Sequence, residues 1–321
     1  MKRAFAIIAV ALAVVSSSAI LIGLDVYEHA RLARYAALNI WGYRGPVAAR
    51  KREGERRLVA IGGSTVLGLG LPWNEAFPAQ LEARLRADGR DASVVNLGVD
   101  GENAFAFAGT VHDYAHLQYD GVIFYEGYNN LLCTMPFAIR HGSWVFRVSG
   151  YWPILPTAIS EKVLLWRYHG DLNAAYADQK KTVFRPLEGD VAGALQQQIG
   201  RLTGPPRERD VPACEKRWAV YCDAMANAIS DARAHPAQVL VVTQPYISDA
   251  HVEQQNSLRA MLRTRFGGDG GVRYLNLGSL IDLNDRSLAY DGMHLTKRGN
   301  AIVADRLLAP ATAMAGASSQ Y

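Results

Sequence analysis

The sequence predicts an α/β protein with a mostly parallel sheet, preceded by one long apolar helix. Three observations carry this. From residue 58 onward short apolar runs alternate with helical patterns, as in parallel strands joined by helical crossovers. Several runs end in glycine and polar residues, where α/β sheets bind their ligands. Ahead of them, residues 4–24 form 21 consecutive positions without a charge, about the length that spans a bilayer core.

The elements follow in order. Lys2 and Arg3 precede the apolar run. A cleavable signal has a shorter apolar region, about 7–15 residues. Ser17-Ser18-Ala19 offers a small-residue cleavage site, but apolar residues continue through Ile20, Leu21, Ile22 and Leu24. The segment 1–24 therefore reads as an uncleaved anchor, with a cleaved signal and a secreted product as the alternative. Lys2 and Arg3 before the span are balanced by Arg31, Arg34 and Arg44 after it, so charge does not set the orientation. A periplasmic (extracytoplasmic) main domain is expected because one N-terminal span stands ahead of one long domain. Residues 25–57 read as a linker. Its basic stretch, Arg50-Lys51-Arg52 then Arg56-Arg57, is expected to be solvated, or else to touch lipid headgroups.

Residues 58–61 are a short apolar run ending in Gly62-Gly63, as in a buried parallel strand. Phe77, Leu81 and Leu85 recur every four residues, marking one face of a helix. Strands follow at 93–96 and 121–125, with a helix over 103–117 between them. A helix over 214–234 leads to a strand at 239–242, and a fifth strand is placed at 272–276. A last helix starts near Thr296, a suitable N-cap, and is expected to stop before Pro310. The main domain is thus 58–310, with a tail at 311–321. Residues 131–213 break the rhythm and are rich in aromatics and proline. They read as an ordered insertion near the mouth of the site.

Composition excludes several classes. Of 321 residues, 50% are hydrophobic and 20% charged, as in an ordinary globular protein. The net charge of +4, from 34 basic and 30 acidic residues, is too small to argue for a nucleic-acid partner. No Gly-Lys-Ser/Thr completes a P-loop after Gly62, and Gly68-Leu69-Gly70 runs into Pro72 and Trp73, so no nucleotide fingerprint stands. His112 and His116, with Asp113 beside them, lack a third ligand at metal spacing. No metal and no cofactor is expected. Cys214 and Cys222 are eight residues apart on a predicted helix, about 12 Å at the helical rise, too far to bridge. A bond from Cys133 to either stays open.

The polar residues at the strand ends carry the chemistry. Gly62-Gly63-Ser64-Thr65 follows the first strand, Asn96-Leu97-Gly98 the second, and Glu126-Gly127-Tyr128-Asn129-Asn130 the third. Asp291-Gly292-Met293-His294 precedes the last helix. A serine hydroxyl becomes a nucleophile when a base takes its proton, and histidine suits that near neutral pH. A carboxylate fixes the imidazole tautomer and stabilises its cation. Asp291 stands three residues before His294, so one turn can join them. The developing oxyanion needs preorganised donors, which glycine backbones and an asparagine amide can supply.

These four blocks, in this order, resemble the SGNH (GDSL-like) serine hydrolases. The resemblance covers about residues 58–130 and 238–308. It implies a three-layer α/β/α, flavodoxin-like sheet. It implies Ser64 as nucleophile, His294 as base and Asp291 as its support. It also implies an oxyanion hole from the Ser64 and Gly98 backbones and the Asn129 amide. Two positions depart from the family: Gly63 stands where Asp is frequent before the serine, and Asn130 where Asp is frequent after the block-three Asn. Neither belongs to the proposed machinery, so activity is expected to survive them, while the subfamily stays open. The phrase Leu38-Asn39-Ile40-Trp41-Gly42-Tyr43-Arg44-Gly45 resembles the lead-in of some membrane-anchored bacterial members.

The expected function is a serine esterase acting on an ester-bearing small molecule or an acylated glycan, through an acyl-enzyme. Two alternatives stay open. An O-acetyltransferase would use the same site to acylate a cell-envelope polysaccharide, and would need a multi-span partner to deliver its acyl donor. A non-catalytic carbohydrate-binding protein would have kept the fold without the reaction.

Overall fold

The structure, a computed structural model, describes residues 2–132, 139–178, 184 and 190–316. Its elements run in chain order: α1 (Lys2–Leu32), β1 (Arg56–Ile61), α2 (Ser64–Leu67), α3 (Phe77–Ala87), β2 (Ala92–Asn96), α4 (Ala104–Asp113) and β3 (Gly121–Glu126). Six helices follow: α5 (Asn129–Leu132), α6 (Ile139–Gly142), α7 (Trp144–Ser149), α8 (Leu155–Arg167), α9 (Leu172–Ala177) and α10 (Val191–Ile199). The chain closes with α11 (Ala219–Ala234), β4 (Gln238–Thr243), α12 (Asp249–Phe266), β5 (Val272–Leu275) and α13 (Lys297–Gly316).

The strands form one five-stranded sheet in the order β2-β1-β3-β4-β5, with every neighbouring pair parallel. Alternate residues feed two cores, as the pleat requires. Val59, Ile61, Val122, Phe124, Val239 and Val241 pack with α4, α11 and α12. Leu58, Ala60, Ile123, Tyr125, Leu240 and Val242 pack with α3 and α13. The result is the expected three-layer α/β/α arrangement. Phe77, Leu81 and Leu85 of α3 are fully buried, each contributing about 1.5–3 kcal/mol of transfer free energy. The β1–β2 crossover uses α3 on one face and the β2–β3 crossover uses α4 on the other. A crevice therefore opens beyond the carboxyl ends of β1 and β3, where the connections part.

Several boundaries differ from expectation. Helix α1 does not stop at residue 24 but continues to Leu32, and its last turns bury Asp25, Glu28, His29 and Leu32. Its apolar part is exposed, long and apolar enough to cross a membrane. Residues 33–55 are not a free linker. The Arg44 guanidinium donates to the carbonyls of Ala33, Ala37, Tyr35 and Leu71, tying this stretch to the loop after α2. The basic stretch is paired: Lys51 and Arg56 meet Asp120, Arg52 meets Asp91, and buried Arg57 meets Glu55.

The helix predicted over 103–117 ends at Asp113, followed by one 3-10 turn at Ala115–Leu117. Helix α13 runs through Pro310 to Gly316. A proline there removes one helical N–H, but Ala311, Met314 and Ala315 beyond it are buried, and that packing holds the helix together. Cys214 lies before α11 rather than on it, so the helical-rise argument fails. The loop returns it to Cys222 with a Cα–Cα distance of 6.6 Å, and the two form a disulfide. Cys133 lies outside the described residues, as does 317–321 of the tail. The insertion holds α6–α10 in its described part, more helical than its sequence indicated.

Candidate active site

Strand β1 delivers Ser64 to the crevice. Gly63 is the N-cap of α2 and Ser64 its first residue, with no side-chain cap present. Ser64 is thus not spent on capping; its hydroxyl faces His294, with Oγ 2.9 Å from Nε2. His294 Nδ1 lies 2.6 Å from Asp291 Oδ2. Asp291 Oδ1 accepts the backbone N–H groups of Met293 at 3.0 Å and His294 at 2.6 Å. The carboxylate therefore holds both the ring and the turn that carries it. The three residues are buried, and 230 positions separate Ser64 from His294. Burial alone would raise the Asp291 carboxyl, but the bonds and charge of His294 and the two N–H groups bring it below the usual carboxylate value. It is held ionised, as a partner to an imidazolium must be.

The three expected oxyanion donors differ. The Ser64 N–H has no partner among the described residues. Asn129, at the start of α5, donates one amide hydrogen to the Glu102 carbonyl at 2.6 Å, leaving the second hydrogen. Its amide fills the space that a side chain at position 63 would take. This gives a local reason for a glycine at position 63. Gly98 lies against the backbone of Val66 and Leu67, too close for any Cβ, but its N–H donates to Asn96 Oδ1 at 3.0 Å. Two of the three donors are open as the site stands, and the third is held by Asn96. Asn130 points elsewhere: its Oδ1 accepts the Ala104 N–H at the start of α4.

Other residues complete the site that sequence reasoning did not single out. Gln244 directly follows β4; it donates to Thr65 Oγ1 at 2.6 Å and accepts from the Tyr128 N–H at 2.9 Å. It ties the loop of Ser64 to the loop of Asn129. Its position at a strand end was the available signal. Tyr290 stacks on the His294 ring at 5.9 Å between centroids and donates to the Leu69 carbonyl. Arg140 and Glu102 form a fully buried ion pair at 3.0 Å, 38 residues apart. Arg140 also donates to the carbonyls of Leu97 and Gly42 and to Thr110 Oγ1. Nothing in local sequence announces that pair. Among the described residues, no three His, Cys, Asp or Glu side chains gather as a metal-holding group.

Behind Gly127 lies a second buried polar group. The Tyr221 hydroxyl donates to Glu126, and Gln255 donates to Tyr221 and to Gln254. Burial pushes the Glu126 carboxyl up to about 8, against the pull of Tyr221. Burial holds the His251 imidazole down at about 3. Glu126 keeps its proton in the folded state, so its contribution to stability is full below 4.5 and drains as the pH rises to about 8. His251 acts in the opposite sense, full above 6.5 and lost as the pH falls toward 3. Each limb has a slope of up to about 1.4 kcal/mol per pH unit. Glu126→Gln is expected to flatten the loss between 6.5 and 8, to uncover between 4.5 and 6.5 the His251 rise that Glu126 otherwise offsets, and to leave the limb below 4.5 alone. Thermal melts of both proteins across pH 4–9 check this; parallel profiles above 6.5 would contradict it.

No family model matches this chain, and no curated protein does. Solved structures do. One from Desulfitobacterium hafniense DCB-2, described as a lipolytic protein of the G-D-S-L family, has a TM-score of 0.43 at 12% identity, covering 79% of this chain and 98% of its own. A family 3 carbohydrate esterase from Clostridium thermocellum has a TM-score of 0.45 at 12% identity, covering 82% and 100%. A psychrotrophic esterase from Pseudoalteromonas sp. has a TM-score of 0.44 at 11% identity, covering 80% and 97%. What the site can do follows from the distances between its own atoms.

Proposed function

We propose that this protein is a serine esterase that hydrolyses a carboxylic ester through an acyl-Ser64 intermediate. The observation that carries the reading is the buried line Ser64–His294–Asp291, with successive contacts of 2.9 and 2.6 Å. Ser64 Oγ attacks the ester carbonyl carbon while its proton passes to His294 Nε2. The tetrahedral oxyanion is met by the Ser64 N–H and the Asn129 amide, and by the Gly98 N–H once Asn96 Oδ1 releases it. The C–O bond to the alcohol breaks as His294 returns the proton to the leaving oxygen. Water then attacks the acyl carbon with His294 again as base, releasing the acid and restoring the serine hydroxyl. Asp291 keeps the imidazole in the required tautomer throughout.

We place the domain outside the cytoplasm, held by α1 as a membrane anchor. A 31-residue helix with an exposed apolar run supports the anchor. The Cys214–Cys222 disulfide supports an oxidising compartment. An acylated glycan or a smaller ester of that compartment is the substrate class.

The test is labelling with a fluorophosphonate followed by peptide mapping, with product analysis on acetylated glycans and simple esters. A single adduct on Ser64 and release of free acid are expected. Transfer of the acyl group to an added glycan hydroxyl in preference to water would make the protein an acyltransferase. A chain that takes no label would be a non-catalytic binding protein.

A further inference from the structure

The end of the apolar run meets the insertion directly. Asp25 is the first charged residue after Leu24. Its Oδ1 accepts the N–H groups of Ile154 at 2.9 Å and Leu155 at 2.6 Å, and its Oδ2 accepts the Tyr151 hydroxyl at 2.5 Å. The N-terminus of α8 is therefore fixed level with the end of the apolar run. One turn further along α1, Glu28 pairs with Lys162 of α8 at 3.3 Å, and His29 Nε2 lies 2.8 Å from the Trp152 carbonyl.

The same α7–α8 segment carries large apolar side chains that no described residue covers. On α8, Ala158 and Glu161 are buried, while Ile159, Val163 and Trp166 stand out on another face, with Trp166 81% exposed. Their spacing of four and three residues makes one continuous stripe. On α7, Phe146 is buried, but Trp144 and Val148, four apart, are 70% and 81% exposed. Such clustering is unusual for a surface bathed only in water. Tryptophans, with exposed Arg147 and Arg167 on the same two helices, are the composition of a membrane–water boundary.

We propose that the α7–α8 segment is an interfacial membrane-binding surface, seating Trp144, Val148, Ile159, Val163 and Trp166 in the headgroup–acyl boundary beside α1. This rests on reading α1 as a membrane span. Lipid is the occupant because the start of α8 is bonded to the residue at which the span ends. Its two arginines suit an anionic headgroup. The domain is then held against the bilayer at two places, rather than hung from a free tether.

The test uses the full chain with p-benzoylphenylalanine introduced at Trp144, at Trp166, or at Arg306 on α13, which covers the other face of the sheet. Each protein is reconstituted in phosphatidylethanolamine–phosphatidylglycerol vesicles, or left in native membranes, and irradiated. Lipid adducts at positions 144 and 166, and none at 306, are expected. Val163→Glu with the probe at 166 is expected to reduce the adduct there. Carbonate extraction of the same samples reports α1 separately. A chain that resists extraction but gives no lipid adduct at 144 or 166 overturns the surface and leaves the anchor standing. A chain that is extracted and gives no adduct overturns both. A discrete protein adduct in native membranes in place of lipid overturns the proposal in favour of a protein partner.

Discussion

Ser64→Ala is expected to lower turnover of a short p-nitrophenyl ester by about 10⁴- to 10⁶-fold, while the thermal melt stays close to that of the parent. The loss corresponds to about 5–8 kcal/mol of transition-state stabilisation. It is large because Ser64 Oγ is the one atom on which His294 Nε2 bears, at 2.9 Å; alanine leaves a base with nothing to deprotonate. The melt changes little because the removed hydroxyl makes that single bond, while the Asp291–His294 pair at 2.6 Å and its turn remain. His294→Ala should give a similar loss, and the double variant little more, since residues acting as one unit are not additive. Steady-state hydrolysis with parallel thermal melts checks this. Turnover equal to the parent's would remove Ser64 from the chemistry.

The second large effect lies away from the nucleophile. Arg140→Met is expected to destabilise the fold by about 3–5 kcal/mol, the cost of leaving one partner of a buried ion pair uncompensated. Both partners are fully buried, and burial, which would lower the Arg140 guanidinium, is outweighed by the Glu102 charge. Glu102→Gln combined with Arg140→Met should recover much of that loss, because no charge is then stranded. Catalysis should respond differently from stability. Arg140 holds the Leu97 carbonyl next to Gly98 at 3.1 Å, and the Glu102 carbonyl that it helps fix accepts from Asn129 at 2.6 Å. It is a positioning residue for two of the proposed oxyanion donors. The double variant, though refolded, is therefore expected to keep a reduced kcat with KM nearly unchanged. Urea unfolding together with kcat and KM for the three variants tests both halves. Full kcat in the double variant would reduce the pair to a purely structural role.

Where chemistry is encoded locally, the sequence was readable. The strands are short apolar runs because both faces of a parallel sheet are buried, and all five were visible. Phe77, Leu81 and Leu85 announced α3 by spacing alone. Ser64, Asp291 and His294 stood out because a strand end and a single Asp-x-x-His turn are local features. Helix α12 was missed because its buried side carries His251, Gln254, Gln255 and Ser257, so it lacks the apolar periodicity that marks a helix. Its N-cap, Ser248, accepts the His251 N–H and was the remaining clue. The Cys214–Cys222 spacing misleads because the helix starts five residues after Cys214, at Ala219, so the helical rise does not separate the two cysteines.

By itself, the sequence determined the sheet, the apolar span and the identity of the Ser, His and Asp. Each depends on residue type at short range. Only the tertiary structure decided what these residues meet. It put 2.9 Å between Ser64 and His294 across 230 positions, turned the Gly98 N–H to Asn96, and buried Arg140 against Glu102. It also bonded Asp25 to the start of α8, turning an expected linker into part of the domain. The physical reason is common to all four. A buried polar group must find a partner, and which partner it finds depends on how distant segments pack, for which no local pattern exists.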